Sequence, residues 1–586
     1  MPADSSVPES AAPALSGVER ERQMLVDAQS YGVRKKLKTW LKLSGPGWLQ
    51  SAITLGGGSL AGSLFLGVIG GYSLLWLQVM AMAFGVVMLG AIGYVTLSTG
   101  KRPFGLINEH VNPVLGWGWA LATLAANIVW CLPQFSLAEA AVSQNLAPGM
   151  ADHKAVTCGI LLAVAIFITM IYDRGGKGMK TYENTLRILV GLIVLSFLGV
   201  VVKLASTGAL DFGAVLAGLV PDFSLLSRPA STFDSALAAT GEYREYWTAK
   251  ILGMQRDVMI TAAATAVGIN MTFLFPYSLL KKDWDRSFRG LSIFDLATGM
   301  AIPFVIATGC VVIASANQFH AKPAPGLLGE QVDGRVVEPD AGLKSQFEGS
   351  LVARVVAEQG REFGNDKDGK PLKAGALKEK ASPYFAAIPD GEKRMAAMLI
   401  KRDARHLAAA LATLIGDNFS NYVFGFGVLA MALSTITILM LISGFTFCEV
   451  FGFPQGGFYH RVGCLLPAIG VLGPFVWSGK VAFWLAVPTS VFGMVLLPIA
   501  YFTFFLLMNN KMVLGDDMPT GRSRVTWNVL MGMACFLATV GAGWAIWDKA
   551  RWVGVGAVVA FVALALFVHI QRLSKLAAAA LSESAS

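Results

Sequence analysis

The sequence predicts an all-α integral membrane protein with about twelve transmembrane helices. Of its 586 residues, 54% are hydrophobic and only 15% are charged, whereas a soluble globular chain carries about 25% charge. Many separate apolar stretches reach the roughly 20 residues that a helix needs to cross a bilayer. Two of these stretches are interrupted at mid-membrane depth by small or helix-breaking residues, which is typical of a transporter.

The apolar stretches divide the chain into a membrane core and flanking parts. We expect a cytoplasmic N-terminal tail at 1–42, a transporter core at 43–515, and two C-terminal transmembrane helices with a short tail at 516–586. Residues 1–30 are polar, without the apolar segment of a signal peptide, and are expected to be disordered. The predicted spans are 46–70, 73–98, 115–145, 155–172, 183–205, 258–280, 291–315, 408–447, 460–478, 481–508, 526–547 and 552–571.

The net charge of +9 is explained by where the basic residues lie. Clusters of Lys and Arg precede the first span and recur in alternate short loops, while the opposite loops are poorer in them. The positive-inside rule therefore places both termini in the cytoplasm. We expect a protein of the plasma (inner) membrane with lipid as its surroundings and no nucleic-acid partner.

The two interrupted runs are the candidate substrate site. The first interruption is Gly56-Gly57-Gly58-Ser59, and the second is Phe275-Pro276-Tyr277-Ser278, which follows Gly268-Ile269-Asn270-Met271-Thr272. A helix that loses its backbone hydrogen bonds inside lipid must be buried in protein or line a wet cavity. The glycines expose backbone groups, and Ser59, Tyr277 and Ser278 offer hydroxyls. Close helix packing is the alternative explanation for the glycines.

Several chemistries are not indicated. The six cysteines lie in or beside predicted spans without a CxxC pair, so disulfides and zinc sites are not expected. No phosphate loop or nucleophile–base arrangement is present, so we expect neither an enzyme nor a cofactor. The six histidines lie in loops or near span ends, which leaves Glu139 as the candidate proton-coupling group, flanked by Ser136 and Ser143 on one helix face.

Two long polar segments interrupt the membrane pattern. Residues 208–257 and 317–405 both fall on the extracytoplasmic side of the predicted topology. The second is rich in Gly, Pro, Lys, Glu and Asp, and indicates an inserted lobe or a mobile loop. It is either a passive insertion or a surface for a protein partner.

The spacing of motifs resembles the Nramp (natural resistance-associated macrophage protein) family of divalent-metal transporters. Gly45-Pro46-Gly47 is followed by eight residues, by Gly56-Gly57-Gly58-Ser59, and thirteen residues later by a run ending in Gly71-Tyr72, then Leu74-Leu75-Trp76. The family has Gly-Pro-Gly, Asp-Pro-Gly-Asn, Gly-Tyr and Leu-Leu-Trp at these spacings. Further blocks resemble the family in order: Ser136-Leu137-Ala138-Glu139, Phe275-Pro276-Tyr277-Ser278, Arg289, Asp295, Phe319-His320, 424–437, Arg461 and Pro467-Ala468.

The resemblance implies a LeuT-type fold of two inverted five-helix repeats, with substrate bound at the broken first and sixth helices. The family's metal ligands are a first-span Asp and Asn and a sixth-span Met, which match Gly56, Ser59 and Phe275 here. These three are the candidate metal positions, although they supply neither carboxylate nor thioether. The family's third-span Asp and sixth-span histidines are also replaced, by Ser136, Tyr277 and Lys282.

Three functions remain open on the sequence. The first is a secondary transporter of divalent metal cations or a related small solute, working by alternating access. The second is a LeuT-fold carrier of an organic or anionic solute that has lost metal transport. The third is a membrane receptor or scaffold that does not transport and uses 317–405 to bind a partner.

Overall fold

The computed structural model describes residues 17–172, 176–332, 335–366, 368–402, 406–409, 416–476 and 486–584. These residues form a helical protein in which long apolar helices pack side by side. Two strands of two residues each form an antiparallel hairpin outside the helical core. Parts of the predicted tail, of the 317–405 segment and of the spans at 408–447, 460–478 and 481–508 lie outside the described residues.

The α-helices up to the second insertion lie in the following order. They are α1 (Gly17–Gln29), α2 (Val33–Leu43), α3 (Pro46–Thr54), α4 (Gly57–Gly70), α5 (Leu75–Thr99), α6 (Pro103–His110), α7 (Pro113–Ala140), α8 (Lys154–Tyr172), α9 (Gly176–Ser206), α10 (Phe212–Ala217), α11 (Asp234–Ala238), α12 (Arg244–Ala266), α13 (Ile269–Lys281), α14 (Arg289–Asp295) and α15 (Ile302–Phe319). Turns of π-helix at Ala141–Leu146 and Leu296–Ala301 extend α7 and join α14 to α15.

The remaining elements begin with β1 (Gln331–Val332) and β2 (Arg335–Val336). They continue with α16 (Ala341–Gln359), α17 (Ala374–Ala381), α18 (Asp390–Met398), α19 (Asp417–Phe451), α20 (Gly457–Leu465), α21 (Gly473–Val476), α22 (Ala486–Met508), α23 (Lys511–Leu514) and α24 (Gly521–Ser584). Short 3-10 turns lie at Pro148–Met150, Phe223–Leu226, Ser231–Phe233, Gly241–Tyr243, Arg286–Phe288, Arg361–Gly364, Ser382–Ala387, Leu466–Leu472 and Gly515–Asp517.

The described residues contain nine helical stretches long and apolar enough to cross a membrane. The stretch Gly57–Thr99 comprises both α4 and α5, and Gly521–Lys575 is bent at Arg551, whose backbone is not helical (φ 48°, ψ −138°). The all-α integral membrane class is therefore confirmed, while the number of about twelve spans and the domain boundaries stay predictions.

The buried centre of the protein is built around α19 and α7. The helix α19 packs along α7, α9 and α3, and α4 packs against α15 and α12. A polar contact also joins the two central helices, because Asn127 Nδ2 of α7 donates to Ser443 Oγ of α19 at 3.1 Å. The short helices α3 and α13 are thus enclosed on several sides by long ones.

The two insertions pack together in one folded lobe. Trp247 of α12 donates its indole N–H to Glu392 Oε2 of α18 at 2.8 Å, and Arg354 of α16 donates to Glu392 Oε1 at 2.9 Å. The Arg354 guanidinium also lies 3.1 Å from the centre of the Tyr243 ring. A buried ion pair with this many partners keeps its charges satisfied. The partner-binding role of 317–405 stays a prediction.

The expectation of a disordered tail through residue 30 is wrong for its second part. Residues Gly17–Gln29 form α1, with Leu25 and Ala28 buried against the protein. The Arg22 guanidinium lies 2.5 Å from Asp285 Oδ2, and the Trp284 indole donates to Glu21 Oε2 at 3.1 Å. The composition of this segment is polar, but two buried apolar side chains and these contacts order its helix.

Candidate functional site

The first helix interruption lies where the glycine run predicts it. The helix α3 ends at Thr54, Leu55 and Gly56 leave the helical conformation (Gly56 φ −97°, ψ −179°), and α4 begins at Gly57. The amide N–H of Gly57 donates to Gln134 Oε1 at 3.0 Å, and the Ser59 hydroxyl donates to the Thr54 carbonyl. Side chains therefore satisfy backbone groups that the interrupted helix leaves free, as an interruption inside a membrane requires.

The second interruption does not lie at Pro276, and that prediction is wrong. The helix α12 ends at Ala266, Val267 and Gly268 are extended (φ −142° and −96°), and α13 runs from Ile269 through Pro276 to Lys281. The Gly268 amide N–H donates to Met271 Sδ at 3.4 Å. An internal proline removes one hydrogen bond, which membrane helices tolerate when neighbours compensate.

The two interruptions meet in the protein interior. The Thr54 hydroxyl at the end of α3 donates to Met271 Sδ in the first turn of α13, at 3.3 Å. The helix α7 reaches both interruptions, because Gln134 holds Gly57 and Trp130, four residues earlier, lies against Gly268. The structure thus brings the two broken helices together around Thr54 and Met271.

The donor groups around this junction are uncharged. Asn270 accepts from the Met271 N–H through Oδ1 at 3.0 Å, while its buried Nδ2 has no partner. Both polar side-chain atoms of Gln50, one turn before Thr54 on α3, are also buried without a hydrogen-bond partner. Within the described residues, His, Cys, Asp and Glu form no group of three or more that could hold a metal ion. The junction offers a thioether, side-chain amides and a hydroxyl.

The helix α19 closes the first interruption from the other side. Ser434 and Thr435 donate through their hydroxyls to the Ala52 carbonyl, at 2.9 and 3.3 Å. A side chain at Gly56 would meet Thr435 Oγ1 at 2.6 Å. Glycine therefore fits this position because a neighbouring side chain fills the space where another residue would carry its Cβ.

Three predicted site residues lie elsewhere on α13. Phe275 packs beside Gly93 of α5, and Tyr277 stacks on Phe273 with ring centres 4.6 Å apart. The Ser278 hydroxyl donates to the Phe275 carbonyl at 2.7 Å. The structure does not place these residues at the interruption, and the role of Phe275 as a metal position stays a prediction. Gly56, Gly57, Gly58 and Ser59 do belong to the first interruption or to the first turn after it.

The two predicted proton-coupling residues lie near the C-terminal end of α7. Glu139 is half-buried near the end of α7, just before the π-helical turn. The Ser136 hydroxyl donates to the Leu132 carbonyl of its own helix at 3.2 Å, not to Glu139. The role of Glu139 and Ser136 in coupling stays a prediction.

Sequence reasoning missed two residues of this region. The first is Met271, which follows Gly268 by three residues. A glycine followed closely by Asn and Met is the sequence signal that indicates a break with polar and thioether groups beside it. The other is Asp295, matched to the resemblance but given no role. Its Oδ2 accepts from the amides of Gly47 and Gly45 at 2.7 and 3.1 Å, at the N-terminus of α3. A carboxylate there satisfies free N–H groups and complements the helix dipole.

The model of the family described as "Natural resistance-associated macrophage protein-like", Nramp, matches residues 47–332 and 393–548. The chain belongs to the Nramp family. The match includes both helix interruptions and the residues that join them. Its gap, 333–392, falls within the second insertion, so the centre of that insertion lies outside the family pattern.

Individual Nramp relatives are distant. The chain is 27% identical to "Metal transporter Nramp3.2" of Populus trichocarpa over 167 residues, which are 27% of this chain and 30% of the poplar protein. It is 24% identical to "Divalent metal cation transporter MntH" of Ralstonia nicotianae over 340 residues, 55% of this chain and 70% of that protein. The matches to the plant relatives thus span less than a third of their length.

Solved structures of a bacterial manganese transporter share the fold. A manganese transporter of Eremococcus coleocola, in complex with an aromatic bis-isothiourea substituted compound, matches with a TM-score of 0.59 and 14% identity, over 92% of this chain and 96% of that one. A mutant of the same transporter matches with a TM-score of 0.58 and 13% identity, over 91% and 95% of the two chains. The predicted LeuT-type all-α fold is confirmed.

Proposed function

We propose that this Nramp protein is a secondary transporter of divalent metal cations that works by alternating access. The observation that carries the proposal is the contact between Thr54 and Met271, because it joins the two broken helices at one point. Such a junction lies between the parts that move against each other in transporters of this kind. Family membership and the metal-transport functions named for its relatives support the same class of substrate.

The cation would bind at the Thr54–Met271 junction. The C-terminal ends of α3 and α12 stop there, and helix C-termini carry partial negative charge. Met271 Sδ, Asn270 Oδ1 and the Thr54 hydroxyl are the side-chain ligands available. A thioether suits soft ions, whereas manganese favours carboxylate and carbonyl oxygen. We therefore expect cadmium or iron(II) to bind better than manganese or magnesium.

The proposal is tested by metal uptake into proteoliposomes. Met271→Leu keeps the shape of the side chain and removes the sulfur, so cadmium uptake is expected to fall about tenfold, equivalent to about 1.4 kcal/mol. Met88→Leu is the matched control, because Met88 is equally buried on α5 and is expected to change nothing. Tight manganese binding that survives Met271→Leu would show that the ligands are misplaced.

A carboxylate at the first interruption should be accommodated best together with a second change. Replacing Gly56 with Asp would crowd Thr435 Oγ1, so Gly56→Asp is paired with Thr435→Ala. The double variant is expected to bind manganese more tightly than the unmodified protein, and Gly56→Asp alone to gain less. Phe275→Met serves as the negative control, because α13 turns Phe275 towards Gly93.

A second candidate function is a carrier of an organic or anionic solute. The uncharged polar groups at the junction favour it, since Asn270 Nδ2 is buried and free to donate a hydrogen bond to a neutral solute. Helix N-termini at Gly57 and Ile269 would receive an anionic group. Uptake of labelled organic solutes without uptake of any divalent cation would select this candidate.

The coupling ion and the orientation belong to the same proposal. We expect Glu139 to carry proton coupling, so Glu139→Gln should remove the dependence of transport on pH. Unchanged pH dependence in that variant would exclude Glu139. We place both termini in the cytoplasm of a cell whose plasma (inner) membrane holds the protein, which reporter fusions at residues 1 and 586 would test.

A further inference from the structure

The helix α2 carries an apolar stripe that no described part of the protein covers. Val33, Leu37 and Leu41 are 77%, 45% and 48% exposed. Their spacing of four residues places them on one face of the helix, one above the other. Large apolar side chains aligned in this way on an exposed helix indicate a surface that is covered when the protein functions.

A basic stripe runs beside the apolar one. Arg34, Lys38 and Lys42 each follow a residue of the apolar stripe by one position, so they form a second row on the neighbouring face of the helix. All three are exposed. Lys35 is exposed on the same side, with its ammonium 3.9 Å from the centre of the Tyr31 ring. Within the described part of the chain, none of these four has an acidic partner. Apolar and basic stripes side by side are typical of helices that lie on anionic membranes.

The face of α2 opposite the basic stripe fixes the helix to the helical core. Leu43 is buried, and Trp40 packs edge-on against Phe294 of α14 with ring centres 5.2 Å apart. The first half-helix, α3, begins at Pro46, three residues after α2 ends. The stripe therefore stands at the end of the spanning helices, at the depth where lipid headgroups lie.

We propose that α2 binds anionic phospholipids, with its apolar stripe in the acyl boundary and its basic stripe on the headgroups. Charge complementarity selects this occupant, because four exposed cations without acidic partners match a negatively charged surface. The direct connection of α2 to α3 places the bound lipid next to the half-helix that ends at the Thr54–Met271 junction. The inference does not depend on which substrate the transporter carries.

A nitroxide label on the full-length Leu37→Cys protein tests the proposal. The label is selective because the six native cysteines are buried. In nanodiscs of phosphatidylcholine with increasing phosphatidylglycerol, the accessibility of the label to oxygen should rise as it enters the acyl boundary. Replacing Lys35, Lys38 and Lys42 with Gln should weaken the attraction to the anionic surface by about a hundredfold, since three cations contribute about fivefold each. The rise should then be lost at the phosphatidylglycerol contents that produce it with the lysines present.

The control variant removes three exposed lysines of the lobe instead, with Lys344, Lys373 and Lys380 replaced by Gln. It should leave the phosphatidylglycerol dependence unchanged. A label that enters lipid equally in both lipid compositions would overturn the selection for anionic headgroups. A label that stays in water in both, or that is immobilised by protein even in detergent, would overturn the membrane contact itself.

Discussion

The two broken helices differ in what interrupts them, although both end at the same junction. The first is interrupted at Gly56, within a run of three glycines that predicts the position correctly. The second is interrupted at Gly268, eight residues before Pro276, where the sequence predicts the break. Membrane helices tolerate an internal proline, because neighbouring groups satisfy the backbone carbonyl that loses its hydrogen bond. A glycine whose surroundings allow no side chain is the more dependable sign.

The two half-helices also differ in how they are anchored. The half-helix α3 is held at its far end by Asp295, whose carboxylate accepts two backbone N–H groups. The helix α12 continues out of the core into the lobe, where Trp247 bonds to Glu392 and Lys250 Nζ lies 2.5 Å from Ser350 Oγ. One broken helix is therefore fixed by a buried cap, and the other by a folded extension.

The largest loss of stability is expected from placing a side chain at Gly47, where α3 packs against the π-helical turn Leu296–Ala301 and the residue before it. A side chain at Gly47 would overlap the backbone oxygen of Asp295, which cannot move like a flexible side chain. Gly47→Val should cost about 3 kcal/mol or more by overpacking and lower the melting temperature of the detergent-solubilised protein. Gly290→Ala is the control, since its nearest neighbour would be Trp40 at 3.8 Å. Equal melting temperatures for both variants would contradict the tight contact.

Removing the cap of α3 should have the next largest effect. Asp295→Ala leaves the Gly45 and Gly47 amides without their acceptor in a buried place, which should destabilise the protein by about 2 kcal/mol. Asp295→Asn keeps one acceptor oxygen and should lose less. Thermal unfolding in detergent measures both. If Asn were as damaging as Ala, the negative charge rather than the hydrogen bonds would hold the helix.

The anchor of α12 should respond to pH, whereas the cap of α3 is tested by substitution. Burial lowers the pKa of Lys250 from its ordinary 10.5 to about 8. Since the unfolded chain then binds more protons than the folded one, stability should rise as pH increases from about 8 towards 10.5. Lys250→Met should lose this rise relative to the unmodified protein. The readout is the melting temperature of both proteins across that range; parallel curves would contradict the shift.

The sequence predicted the helical membrane class and the first interruption from composition and from the glycine run alone. It could not locate the second, because Pro276 and Gly268 compete and only packing against Trp130 distinguishes them. The position of Met271 at the junction follows from the same packing, since it depends on where the interruption lies. Asp295 caps a helix whose first residues lie 250 positions earlier in the chain, and a contact over that distance cannot be predicted from a local sequence pattern.

The smallest effect is expected at Pro276 itself, and it tests the comparison most directly. Because Pro276 lies inside α13, Pro276→Ala should restore an N–H that can donate to the Thr272 carbonyl one turn earlier. The change in stability should stay within about 1 kcal/mol, and metal uptake should remain near that of the unmodified protein. Gly268→Ala, which would press on Trp130, should reduce uptake clearly. Had Pro276 formed the interruption, the two variants would exchange their effects, with the proline variant losing transport.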